Sequence, residues 1–275
     1  MDIETLDSIS KKIRIDIVKS LANAGSGHLG GSIGLADIFT VLYFNTLNHK
    51  PENPEWEDRD RLILSIGHVA PVLYASLAHA GYFPVDELMT LRKLGSRLQG
   101  HPGKEFGLPG LELSAGSLGQ GLSVAVGVAL AGKLEEKDWH VYSIHGDGEL
   151  QEGSIWEAAM SAAHHKLDNL TAIVDRNYVQ IDGWTEDVMN LEPLTDKWRS
   201  FGWHAISCNG HNMEDLIYAL EEARYTEGKP TVIIASTKMG KGVKSIEDDY
   251  HWHGKAPNQQ QALDFIREIE EYYQE

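Results

Sequence analysis

HVYSIHGDGELQEG at residues 140–153, followed after a helical stretch by LTAIVDRN at 170–177, is the part of the sequence that decides the fold. His140–His145 reads as a strand, Gln151–His165 as a helix and Leu170–Asp175 as a second, buried strand. Working outward, Gly202–Cys208 and Thr231–Ser236 read as two more strands with a helix from Met213 to Tyr225 between them. Strands alternating with helices of this length imply right-handed crossovers and a parallel sheet with helices on both faces, an α/β fold. Such folds bind ligands beyond the carboxyl ends of their strands.

Toward the N-terminus, Leu6, Ile9, Ile13, Ile17, Val18 and Leu21 recur at helical spacing within residues 5–23. A glycine-rich turn from Gly25 to Gly34 and a second helix through Phe44 are expected next. Pro51 and Pro54 interrupt the chain before a short strand, Arg61–Ser65, and a helix at about 70–80. Residues 95–121 hold eight glycines and read as loop built around something, with helix resuming from Gln120 to Glu136. The stretch 258–275 reads as a helix leading away from a finished domain, so residues 1–257 form one unit and 258–275 a C-terminal helical extension.

Bulk properties narrow the function classes. A chain of 275 residues with 42% hydrophobic content can bury one substantial core. It has no apolar run of about 18 residues to cross a membrane, and its start has no signal-peptide pattern. Cys208 is the single cysteine, which rules out an internal disulfide and fits a reducing cytoplasm. The net charge of −17 argues against nucleic acid as the main partner. It leaves room for a phosphorylated ligand, because charges more than roughly 8 Å away are largely screened in physiological salt.

The strand tips carry the chemistry. Gly146-Asp147-Gly148 alone is an ordinary tight turn. Placed at a strand end, with 28 residues between Gly148 and an Asn177 that closes the next strand, it is far more specific. The glycines let the backbone approach a ligand closely. Asp147 offers a hard carboxylate oxygen, Asn177 a neutral carbonyl oxygen, and Val179 a backbone carbonyl at the same spot. Magnesium takes six oxygens at roughly 2.0–2.1 Å and usually draws some from phosphate. Three protein donors, two diphosphate oxygens and a water complete that shell. The spacing matches the thiamine-diphosphate signature of a whole enzyme superfamily.

Four glycine-flanked histidines add to this: His28 in SGHLG, His68 in LSIGH, His101 in QGHPG and His253 in WHGKAP. One loop histidine is ordinary surface; four beside that signature suit hydrogen bonding to sugar hydroxyls and phosphates, and proton transfer near neutral pH. With SGHLGGSIG, LSIGHVAPVLY, LQGHPG, SAGSLGQGLSVAVGVAL, HGDGELQEGSIWEA, DRNYVQIDG and WHGKAPN in place, the chain closely resembles the N-terminal, diphosphate-binding region of transketolase from about residue 8 to 258.

The resemblance implies roles for individual residues. His68 and His253 would contact the cofactor's diphosphate, and Gly148 would touch it too. His28 and His101, with His253, would line the channel to the reactive carbon as the catalytic, proton-handling groups. Gly116 and Leu118 would pack against the cofactor, and Asp147, Asn177 and Val179 would ligate Mg2+. Glu152 would lie between paired subunits. The turn Gly116–Gly121 opens a helix whose free amides and positive end can face an anion or the cofactor. Three positions depart from the commoner family pattern: Leu29 after His28, where proline is frequent, and Arg176 and Tyr178 around Asn177. Tyr178 disfavours a positive φ there.

The implied reaction is reversible transfer of a two-carbon ketol unit from a ketose phosphate to an aldose phosphate, with thiamine diphosphate and Mg2+ as cofactors. Full-length relatives continue with a pyrimidine-binding domain that supplies a glutamate needed to activate the cofactor, and no segment here matches it. The resemblance therefore implies an N-terminal subunit working with a separately encoded C-terminal partner, in a cytoplasmic α2β2 heterotetramer of carbohydrate (pentose phosphate) metabolism. Two alternatives are the α subunit of a two-chain 2-oxo acid dehydrogenase, which leaves the four histidine loops unexplained, and an inactive scaffold homologue, for which eroded ligands are expected.

Overall fold

The alternation of side chains along each strand sorts the core into two layers. The computed structural model describes residues 1–274. Its helices and strands, in chain order, begin with α1 (Ile3–Ala24), α2 (Leu29–Gly34), α3 (Ala36–Val41), β1 (Arg61–Leu64), α4 (Ala70–His79) and α5 (Gly121–Leu134). They continue with β2 (Val141–Gly146), α6 (Gly153–His164), β3 (Leu170–Arg176), a hairpin of β4 (Val179–Gln180) and β5 (Gly183–Trp184), α7 (Thr185–Val188) and α8 (Leu194–Ser200). The chain closes with β6 (His204–Asn209), α9 (Met213–Tyr225), β7 (Thr231–Ser236) and α10 (Gln259–Tyr272).

Five strands form one sheet in the order β1-β2-β3-β7-β6, every neighbouring pair parallel. Leu62 and Leu64, Tyr142 and Ile144, Ile173, and Ile233 and Ala235 face α1, α3, α4, α9 and α10. Their alternates Ile63, Val141, Ala172, Val174 and Val232 face α5, α6 and α8. A period-2 pattern buried on both faces is what a parallel sheet inside two helical layers demands. The expected fold class is the observed one.

Three expectations about elements change. The glycine-rich turn is shorter than expected, because α2 already starts at Leu29. A Cβ on Gly34 would lie 2.9 Å from the Lys238 carbonyl oxygen, so this glycine serves a close helix–loop contact rather than a bend. The helix expected to run on through Phe44 instead ends in a π-turn, Leu42–Thr46. Of the segment expected to lead away, the described residues 258–274 do not: α10 starts on an Asn258–Gln261 capping box and buries Ala262, Phe265 and Ile269 in the same core as α1. Phe265 meets Trp252 edge-on with ring centroids 5.1 Å apart. Arg14 of α1, completely buried, donates to the Tyr273 hydroxyl and both oxygens of Asp37.

A candidate diphosphate and metal site at the strand tips

Register places the first group of donors. Gly146 on β2 pairs with Asp175 on β3, so Asp147 and Asn177 emerge just beyond the tips of adjacent strands. Asp147 is 1% exposed. Its Oδ1 accepts from the Gly148 N–H at 2.8 Å, while Oδ2 accepts from Arg176 Nη1 at 3.0 Å and the Tyr178 N–H at 2.7 Å. Burial pushes the Asp147 carboxyl up to about 6, with Arg176 pulling the other way. Asn177 Nδ2 donates to Asp175 Oδ2 at 2.8 Å, and the Val179 N–H donates to Asn177 Oδ1 at 2.8 Å.

A cavity of about 240 Å³ opens over these tips, lined by His68, Leu118, Asp147, Gly148, Glu152, Asn177, Val179 and His253 among others. His101 and Gly116 line a neighbouring cavity of about 680 Å³. His28 stands between imidazoles, with its ring centroid 5.0 Å from that of His68 and 5.9 Å from that of His253. His68 and His253 are 5.3 Å apart. The structure thus brings every residue expected from the sequence to one end of the sheet.

The histidines there are electrically neutral near pH 7. Burial first, then the neighbouring imidazoles, holds His68 down to about 3 and His28 down to about 4. Burial lowers His253, and burial with the nearby Arg92 guanidinium lowers His101. His28 Nδ1 is buried with no hydrogen-bond partner among the described residues. A buried orphan of this kind costs free energy until something fills it. An anion or hydroxyl at this point supplies the missing partner, and neutral imidazoles offer it both donors and acceptors.

The donor set fits a magnesium–diphosphate pair. Each carboxylate oxygen has two lone-pair directions. Oδ2 of Asp147 spends both on Arg176 and Tyr178, and Oδ1 spends one on Gly148, leaving a single direction for a monodentate cation. Among the described residues no group of three His, Cys, Asp or Glu side chains forms a metal cage. A hard cation here would therefore draw most of its oxygens from backbone, amide, water and phosphate, as magnesium does.

Several features escaped the sequence reading. Tyr178 adopts φ 65°, against the expectation for a bulky residue. It is held there by its N–H bond to Asp147, by its carbonyl accepting from the Thr185 N–H at 2.9 Å, and by the Arg176 guanidinium 3.9 Å over its ring. Glu149 is 2% exposed and accepts from Ser65 Oγ and from the Gly119 N–H at 2.7 Å, with His145 Nδ1 at 3.0 Å. The Gly121 N–H donates to Ser65 Oγ at 3.0 Å. The amides of Gly119 and Gly121, expected to be free for a ligand, are consumed inside the protein. Asp175 was also missed; burial pushes it up to about 7, and it accepts from Thr237 Oγ1. The one sequence signal for Glu149 and Asp175 is adjacency to the Gly-Asp-Gly and Asn177 positions.

Comparison with known proteins places this geometry. A family model described as "Transketolase, thiamine diphosphate binding domain" matches residues 6–270. The chain is 42% identical to a subunit of the apulose-4-phosphate transketolase of Phocaeicola vulgatus, over 98% of this chain and 96% of that protein. It is 41% identical to 6-deoxy-6-sulfo-D-fructose transketolase subunit SqwG of a Clostridium species, over 98% and 97%. Human transketolase is 40% identical, but 97% of this chain spans 42% of that protein. Among solved structures, transketolase from Leishmania mexicana superposes with a TM-score of 0.90 at 33% identity, covering 96% of this chain and 41% of that one. The transketolase of Campylobacter jejuni superposes at 0.87 and 33% identity, with 48% of its chain covered. The chain thus spans less than half the length of these solved structures.

Proposed function

The chain belongs to the transketolase thiamine-diphosphate-binding domain family, and from that premise we propose that it is the N-terminal subunit of a two-subunit transketolase. The reaction is reversible transfer of a two-carbon ketol unit between sugar phosphates. The observation that carries the reading is the convergence of His68, Leu118, Asp147, Gly148, Asn177, Val179 and His253 on one cavity over the β2 and β3 tips. Near end-to-end coverage of two relatives named as transketolase subunits supports a separate partner supplying the pyrimidine-binding half. The same relatives favour this reading over a 2-oxo acid dehydrogenase α subunit, and the intact ligand set disfavours an inactive scaffold.

In this proposal Asp147, Asn177 and the Val179 carbonyl hold Mg2+. His68, His253 and the Gly148 backbone hold the diphosphate, and Gly116 and Leu118 cover the ring. When bound, thiamine diphosphate supplies a thiazolium that accepts the electron pair released as the carbon–carbon bond breaks. His28, His101 and His253 orient substrate hydroxyls and move protons at imidazole nitrogens that are neutral at working pH. Glu152, exposed beside the cavity, meets a paired subunit. The proposal further comprises a cofactor unit of residues 1–257 and a helical extension, 258–275, whose helix α10 is braced on α1. It also includes an α2β2 assembly, sugar-phosphate substrates of pentose phosphate type, no nucleic-acid partner, and a cytoplasmic location consistent with the free, buried Cys208. No helix among the described residues is long and apolar enough to cross a membrane.

The test is ketol transfer measured for the chain alone and with a candidate C-terminal subunit, with cofactor and magnesium present or withheld. Turnover is expected only from the combination. Strong activity from the single chain, or activity on 2-oxo acids in place of ketose phosphates, overturns the reading.

A further inference from the structure

We propose that Arg176 is a positioning residue of the metal site: a cation whose removal weakens cation binding. The proposal rests on the magnesium reading above and extends it to a residue outside the ligand set. Arg176 closes β3 and is 1% exposed. Its Nη1 donates to Asp147 Oδ2 at 3.0 Å and to Thr185 Oγ1 at 2.8 Å. Its Nη2 donates to Glu186 Oε1 at 2.6 Å and Glu192 Oε1 at 2.8 Å. One planar guanidinium, rigid by resonance, therefore grips four side chains.

Those four lie on two sides of the site. Asp147 sits at the β2 tip. Thr185, Glu186 and Glu192 belong to the segment that follows the β4–β5 hairpin, whose first strand carries Val179. Arg176 thus sets the separation between a carboxylate just past the tip of β2 and a backbone carbonyl on β4. It also occupies one of the two lone-pair directions of Asp147 Oδ2, which leaves Oδ1 as the oxygen facing the cation. Holding a ligand's orientation by hydrogen bonds to its other atoms is a general device of metal sites, and removing such a bond typically costs ~10–100-fold in affinity.

The proposal has a sign that electrostatics alone reverses. A guanidinium in contact with a ligand of Mg2+ repels the ion but also favours the ionised form of Asp147 against burial. The titrations are therefore run above the pH at which Asp147 ionises in every variant, where deleting the charge should tighten binding if charge were its main contribution. Positioning predicts weaker binding.

The experiment uses Mn2+ in place of Mg2+, with free ion counted by electron paramagnetic resonance. It is titrated into the full chain with saturating thiamine diphosphate, alone and with the C-terminal subunit. Wild type retains Mn2+ and Asp147→Ala does not. Arg176→Gln is expected to raise the Mn2+ Kd ~10–100-fold, and Arg176→Lys, which restores charge without the fork, recovers only part of the loss. Thr185→Val changes no charge and is expected to weaken Mn2+ binding several-fold; it decides the matter if Arg176→Gln fails to fold in a metal-free melt. Unchanged affinity in Thr185→Val, or tighter binding in Arg176→Gln, overturns the inference and leaves the magnesium reading standing. A wild type that holds no Mn2+ in either preparation overturns both.

Discussion

Glu149 accepts the backbone N–H of Gly119 at 2.7 Å, across 30 residues of chain and at full burial. The other Glu149 oxygen meets His145 Nδ1 at 3.0 Å, and His145 Nε2 meets Ser143 Oγ at 2.8 Å. This carboxylate is what fastens the 116–121 loop, with Leu118 on it, to the tip of β2. Glu149→Ala should leave the Ser65 hydroxyl, the Gly119 N–H and His145 Nδ1 each short of the partner it has here. It should cost about 3–5 kcal/mol, since each buried polar group left unsatisfied costs about 1–3 kcal/mol. Glu149→Gln keeps the shape and should cost about 1–3 kcal/mol. Urea denaturation of both variants checks this; a loss below 1 kcal/mol for the alanine variant refutes it.

Tyr178 sits at φ 65°, where a side chain costs roughly 1–2 kcal/mol. Tyr178→Gly relieves that cost while forfeiting the contact with Arg176, a cation–π pair worth about 0.5–2 kcal/mol. The two nearly offset, so its stability should lie within about 1 kcal/mol of wild type. Tyr178→Val keeps the backbone penalty, worsened by β-branching, and gives up the stacking; it should be the less stable variant. Paired thermal melts decide the order.

Phe265 buries its ring against Trp252, next to His253 in sequence. Phe265→Ala should therefore cost about 3–5 kcal/mol, as in other cores. Chemical denaturation showing a loss under 1 kcal/mol would mean that α10 is only loosely attached.

His140 contributes a loss of stability on acidification through a defined window, opposed in part by the raised carboxyls of Asp147 and Asp175. Burial holds His140 down to about 4, from an unfolded value near 6.5. Between those values the unfolded chain binds the extra proton, so stability rises with pH and is fully present above about 6.5. Loss through His140 approaches about 1.4 kcal/mol per pH unit within the window. Its Nε2 meets Thr171 Oγ1 at 2.8 Å, a contact the amide of His140→Gln can reach. That variant should show a flatter stability profile between pH 6.5 and 4; an unchanged slope in melts across the range counts against this assignment.

Asp147→Asn keeps the volume but removes the carboxylate that faces the candidate cation. Calorimetric titration with thiamine diphosphate and Mg2+ should show cofactor affinity lowered by more than the ~10–100-fold typical for groups that merely orient a ligand. Magnesium dependence should largely vanish with it. Retained, magnesium-dependent binding would remove Asp147 from the ligand set.

Much of this protein was legible in one dimension. The strands at 170–176, 204–209 and 231–236 and helix 213–225 follow from short-range burial patterns. Asp147 and Asn177 follow from their position just past strand ends, because a parallel sheet delivers consecutive tips to one edge. What the sequence by itself determined was the alternating framework and the identity of the groups at its rim. Only the tertiary structure decided which partners those groups have. It set the positive φ of Tyr178 through contacts with Asp147, Thr185 and Arg176, and folded α10 onto α1 through Phe265 and Ile269. It also gave Glu149 and Arg176 their tasks. The physical reason is range: propensity and periodicity act within a few residues, whereas each of these outcomes comes from groups far apart in the chain or on separate elements, which meet only after the sheet has formed.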